Sequence, residues 1–284
     1  MTAKHANRPR PWLYLLGVVG WTWTFLGIVA ISGQPWLSFP MVLCTLLGGV
    51  GPIIVPGLLI TAGYWDSSLD RTAGDFFRRA FDPRTVPWRW YGWIGVLLLA
   101  MNAIPLLLHP ATFQLDGVLS MGPLLFLLIG FVFGALEEPG WRGYAQEGLQ
   151  RQMSVVAASL VIGFFWAIWH LPLFMIEHTY QNQLGIGTPA FWSFHLAILI
   201  SSPLYAWLYT MTDRAIFAPL LFHGLGNVVG ELTVDAPPLA MLGGTALLTL
   251  GIVVAYWSVM GTHCKHVAPE KSAGPHASGE QDRR

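Results

Sequence analysis

Apolar residues fall into eight long runs separated by short polar stretches, near 12–31, 39–63, 88–108, 119–147, 154–176, 190–211, 215–231 and 238–260. Crossing a hydrocarbon core of about 30 Å takes roughly 20 mostly apolar residues in a helix. The pattern therefore predicts an all-α, polytopic membrane protein with about eight transmembrane helices. The run 215–231 is the weakest of them, short and with Arg214 at its start. The gaps between runs differ in charge. Lys4, Arg8 and Arg10 precede the first run. Arg71, Arg78, Arg79, Arg84 and Arg89 lie between or beside the second and third. Arg142 and Arg151 mark the fourth-to-fifth connection, Arg214 the sixth-to-seventh, and Lys265, Lys271, Arg283 and Arg284 the tail. Positive residues mark the cytoplasmic side. Eight spans with both termini cytoplasmic put every one of them there, and an odd number of spans would not.

Composition narrows the class further. The 284 residues are 54% hydrophobic and 11% charged, against about 25% charged in an ordinary soluble domain. That excludes most water-soluble enzymes and makes the lipid bilayer of the cell membrane the first partner. The formal net charge is zero, which leaves no electrostatic case for nucleic acid. Cys44 lies in an apolar run and Cys264 in the polar tail, so the two cysteines do not make a disulfide scaffold.

Ionisable residues inside membrane spans are costly and mark function by default. Glu137 and Glu138 end an apolar run and are followed by Pro139-Gly140, where a helix must deform. Irregular backbone at membrane depth is tolerated only against protein or a wet cavity. Arg142, four residues after Glu138, is placed to pair with it, which leaves Glu137 free for chemistry. Two interfacial charges at a helix end are the alternative. His170 and Glu137 are equidistant from Met153-Ser154, where the chain turns. Straight helices would put both about 24 Å from that turn at ~1.5 Å per residue. The polar stretch Tyr144–Arg151 is expected to project into the cytosol. His223 and Asn227 share one face of a short helix, with Gly224 and Gly226 permitting a close approach; an interhelical hydrogen-bonded dyad is the plainer reading. His109, His178 and His195 are set aside as interfacial, and Glu147 and Arg151 as an i,i+4 pair.

Glu137, His170, His223 and Asn227 fit two hydrolytic chemistries. In one, a carboxylate activates water while His and Asn stabilise an oxyanion. In the other, Glu137, His170 and His223 hold a zinc ion that activates water. Asn is a poor zinc ligand and a good oxyanion donor, which favours the metal-free version.

These residues resemble the motifs of the CAAX prenyl protease and bacteriocin-processing (CPBP, Abi) family. Glu137-Glu138-Pro139-Gly140-Trp141-Arg142 matches its EExxxR, His170 its FxxxH histidine, and His223-Gly224-Leu225-Gly226-Asn227 its HxxxN, in the family's order. One departure is that Trp166 stands where the motif has Phe, a difference expected to matter only for local packing. The resemblance implies an eight-span intramembrane glutamic endopeptidase acting on a membrane-associated protein or peptide, prenylated CAAX-type or a peptide precursor. It implies Glu137 as general base, Glu138 and Arg142 as its support, His170 orienting water or the transition state, and His223 and Asn227 as oxyanion donors. It divides the chain into a cytoplasmic arm (1–11), N-terminal helices (12–118), a catalytic membrane core (119–231), a last helix (232–261) and a disordered cytoplasmic tail (262–284). A non-catalytic scaffold or bacteriocin-immunity protein of the same fold is the alternative, and the full set of polar residues argues against it. A proton-relaying transporter would bring an inverted repeat, which the sequence does not display.

Overall fold

The computed structural model describes residues 8–66, 70–109, 128, 131–132, 134–232 and 237–261. The tail, the first seven residues, and much of the run 119–147 lie outside the described residues. Those described form helices and connections with no strand. The main helices are α1 (Pro11–Ser32), α2 (Met41–Gly49), α3 (Gly51–Thr61), α4 (Ala73–Ala80) and α5 (Arg89–Leu108). They continue as α6 (Val155–Trp169), α7 (Pro189–Met211), α8 (Phe217–Leu232) and α9 (Pro238–Ala255).

Local chemistry sets the ends. Pro11 opens α1, where its missing N–H costs nothing, and Gly33 closes it at φ 64°. Ser154 and Thr188 cap α6 and α7 by accepting the N–H of Ala157 and Phe191. Thr72 and Asp75 form a reciprocal capping box on α4. The apolar run 39–63 is not one straight helix. It breaks at Val50, ahead of Pro52, and α2 and α3 meet at a bend of 58°.

Among the described residues, five helical stretches are long and apolar enough to cross a membrane: α1, α5, Val155–Met175, α7 and α9. The bent α2–α3 pair makes a sixth if it counts as one span. The apolar part of α8, Phe217–Gly230, is shorter. The protein is thus an all-α, multi-pass membrane protein. Its surface is apolar, with Leu16, Leu99 and Leu247 each more than 60% exposed, whereas Glu138, Arg142 and Ser202 are wholly buried. This inversion suits a chain solvated by lipid, where polar groups must be satisfied internally.

α7 is the axis of the bundle, packing on α6 along one side and α9 along another. The main core is continuous from Tyr14 on α1 to Met260 beyond α9. Two close approaches position the polar site. Gly134 lies against Gly224 of α8, so tightly that a Cβ on Gly134 would come within 2.8 Å of the Gly224 nitrogen. A Cβ on Gly140 would collide with the Tyr14 hydroxyl and the Pro52 carbonyl oxygen.

The chain turns just before Ser154, and Tyr144–Gln150, part of the stretch expected to project into the cytosol, are buried within the protein. Their polar groups find partners far away in sequence. The Tyr144 hydroxyl donates to the Tyr64 carbonyl at 2.7 Å. Glu147 accepts from the Tyr209 hydroxyl at 3.2 Å and pairs with Arg214 at 3.2 Å and Arg151 at 3.7 Å. Arg79 grips Asp70 and donates to the Arg214 carbonyl at 3.1 Å. The connection is therefore clasped under α1 and α4.

Topology remains testable. With cytoplasmic termini, single cysteines at Gln34 and Gln183, both exposed, should react with an impermeant maleimide in intact cells after Cys44 and Cys264 are replaced by Ser. A cysteine at Arg78, whose side chain is 78% exposed, should react only in opened cells. The reverse labelling pattern would refute this orientation.

Candidate active site

Downstream of Glu138 the backbone widens into a π-helical segment, Pro139–Gln146. Pro139 cannot donate a helix bond, and π-turns often accompany functional sites. The segment starts with Trp141 N–H donating to the Glu137 carbonyl at 3.1 Å. The two adjacent carboxylates just ahead of it meet different neighbours.

Glu138 is the hub of the charged contacts. Its Oε2 accepts from Arg142 Nε at 3.2 Å and its Oε1 lies 2.8 Å from His223 Nδ1. Arg142 also donates to Ser202 Oγ at 3.0 Å, and the Ser202 hydroxyl donates to the Ser159 carbonyl at 2.7 Å. The guanidinium sits over the rings of Trp166 and Tyr205, 5.6 and 5.0 Å from their centroids, a placement favoured by the ring quadrupole. Ser202, the two rings and His223 supply further contacts to this buried ion pair, while Arg142 Nη2 has no hydrogen-bond partner among the described residues. The i,i+4 spacing predicts the Glu138–Arg142 pair correctly; it does not predict His223 as the second partner.

Glu137 makes different contacts. Its Oε2 accepts the indole N–H of Trp166 at 2.6 Å and that of Trp141 at 3.4 Å. Its Oε1 makes no hydrogen bond to the described residues. Trp166 thus carries a polar interaction that Phe cannot make, so the departure from the motif reaches beyond local packing. The same indole stands edge-on to the His223 ring at 5.2 Å and tilted to His170 at 6.2 Å. All three motif segments meet around it.

The equal-depth expectation for Glu137 and His170 assumes straight helices. The π-helical segment Pro139–Gln146 lies between Glu137 and the turn, whereas α6 runs unbroken from Val155 to Trp169 with His170 as its C-cap. Glu137 contacts Trp166, one turn before His170. His170, the C-cap of α6, lies 2.9 Å from the Trp166 carbonyl through Nδ1. A carbonyl only accepts, so Nδ1 carries the proton and Nε2 of the neutral ring is an acceptor. His170 packs against Trp169 and Phe194. Asn227 follows His223 by one turn on α8 and is half-buried.

Among the described residues no three His, Cys, Asp or Glu side chains are grouped to hold a metal ion. His223 engages Glu138 through Nδ1, and Glu137 engages two indoles. Of the histidines set aside, His195 lies 2.8 Å from its own i−4 carbonyl, Phe191 O, through Nδ1, inside an aromatic cluster. His178 is exposed. Sequence reasoning missed Trp141, Trp166, Ser202 and Tyr205. Ser159 and Ser202, hydroxyls inside apolar spans, were the available signal for the Arg142 contact.

Residues 119–229 match the family described as Rce1-like, type II CAAX prenyl endopeptidase. This segment is similar to that family. The chain is also 29% identical over 266 residues to CAAX prenyl protease 2 of Methanococcus maripaludis, covering 89% of this chain and 93% of that protein. The Rce1-like segment contains all three motifs, and the similarity to the archaeal protease extends well beyond it to most of the helices. Together they bear out the resemblance carried by Glu137-Glu138, His170 and His223, and support an intramembrane endopeptidase of the cell membrane.

Proposed function

We propose that the chain hydrolyses a peptide bond of a membrane-associated substrate with water activated by Glu137, without a metal. The observation that carries this reading is the asymmetric hold on Glu137. Two indole N–H groups occupy Oε2, and Oε1 is left to take a proton from water. The hydroxide equivalent adds to the scissile carbonyl. His223 and Asn227 donate to the oxyanion, for which His223 carries both ring protons and Glu138 serves as its counter-ion. Nε2 of His170 accepts from the attacking water and orients it. The proton on Glu137 then passes to the departing amine nitrogen, which restores the carboxylate. The scheme is completed by eight spans with both termini cytoplasmic.

The relative's name makes prenylated CAAX peptides the first substrates to try. Purified protein should be incubated with membrane peptides bearing or lacking a prenyl group, and the products weighed by mass spectrometry alongside the metal content. Cleavage at one defined bond by protein lacking stoichiometric zinc is the expected result. Activity lost on zinc removal and restored by zinc would overturn the metal-free assignment.

Trp166→Phe tests the hold on Glu137 directly. It restores the motif's own residue and keeps the ring but removes the donor. Hydrogen bonds to charged groups are worth about 1.5–3 kcal/mol, so kcat should fall about 10- to 100-fold with KM nearly unchanged. A variant as fast as the parent would remove the indole from the mechanism.

A further inference from the structure

Away from the polar site, a cavity of about 1080 Å³ opens at the start of α1. Arg8, Arg10 and Arg151 line it, and Asp66 is the one acidic side chain among the described lining residues. Arg151 is already engaged, donating to the Asp66 carbonyl at 2.7 Å. Arg8 and Arg10 have no ion-pair partner among the described residues; the Arg10 guanidinium lies 5.8 Å from the Tyr64 ring centroid. The N-terminus of the 22-residue α1 faces the same space without a side-chain cap, which adds the positive end of a helix dipole. Among the described lining residues, positive side chains therefore outnumber the one acidic side chain.

The apolar side of the cavity decides what kind of anion fits. Trp12 and Leu13 are lining residues, 44% and 50% exposed. Leu16, one turn on, is 64% exposed. The Trp12 indole reaches across to Gln152 Oε1 at 3.4 Å, in the manner of an interfacial anchor. The cavity thus runs from unpaired guanidinium groups onto the lipid-facing flank of a membrane-spanning helix. An inorganic anion would use the first part alone, whereas a phospholipid uses both. We propose that this cavity holds an anionic phospholipid, its phosphate between Arg8, Arg10 and the α1 N-terminus and its acyl chains along Leu13 and Leu16. Nothing in this site depends on the hydrolytic reading of Glu137.

The test is lipid titration of the delipidated full chain in detergent, read by native mass spectrometry. Phosphatidylglycerol is compared with phosphatidylcholine. Arg8→Gln/Arg10→Gln is compared with Arg78→Gln/Arg84→Gln, which removes the same charge from side chains that are 78% and 88% exposed. The parent and the control pair should bind phosphatidylglycerol alike and in preference to phosphatidylcholine. Arg8→Gln/Arg10→Gln should weaken phosphatidylglycerol about tenfold or more and leave phosphatidylcholine unchanged. Arg8→Glu, a single change at an exposed position, should also weaken it, which guards against a folding defect in the double variant. Equal losses in both double variants, or no preference for the anionic lipid, would overturn the site. Release of the lipid by millimolar inorganic phosphate would show a free-anion site and overturn the lipid assignment.

Discussion

Glu137→Gln should remove nearly all turnover while leaving the protein folded. The amide keeps the shape of the side chain and can still accept the two indole N–H groups that hold Oε2. What it loses is the ability to take a proton. In the proposed mechanism that is the loss of the general base, which typically costs ~10²–10⁴-fold in rate. Single-turnover cleavage and the thermal midpoint in detergent, measured together, separate the two effects. A midpoint within a few degrees of the parent with cleavage lost is the expected pair of results. A folded variant that cleaves normally would take the base assignment away from Glu137.

Glu138→Gln and Arg142→Gln should fail differently. Glu138 joins Arg142 to His223, and Arg142 extends the chain to Ser202, all with little or no exposure. Removing one partner leaves the other charge buried without compensation, a change that costs ~3–5 kcal/mol in comparable buried pairs. Both variants should therefore melt earlier or accumulate poorly, and lose activity in proportion. Should Glu138→Gln prove as stable as the parent but inert, Glu138 rather than Glu137 would be the residue handling the proton.

The contrast between the two carboxylates shows how far the sequence carries. Eight apolar runs, charged residues inside them and the i,i+4 spacing of Glu138 and Arg142 are one-dimensional signals. Most described residues of those runs are helical, and the ion pair forms. The partner of Glu137 is a different kind of fact. It depends on where the π-helical segment between Glu137 and the turn leaves the carboxylate relative to Trp166, which cannot be counted off a straight helix. The same holds for the Tyr144–Gln150 stretch. Its polarity reads as exposure until Tyr64, Tyr209 and Arg214, between 62 and 80 residues away in sequence, are seen to satisfy it. Glu147 shows the point most clearly. Its i,i+4 partner Arg151 is legible and lies at 3.7 Å, yet the closer contact at 3.2 Å is Arg214, which only the fold brings near.

In the proposed mechanism Glu137 activates water rather than attacking the peptide itself. Single-turnover cleavage in oxygen-18 water, with enzyme in excess over a membrane peptide that is cut, tests this by where the label goes. General-base hydrolysis places one heavy oxygen in the new carboxylate of the product from the first turnover and none in the enzyme. A first-turnover product without the label, together with an enzyme peptide carrying oxygen-18 at Glu137, would contradict it.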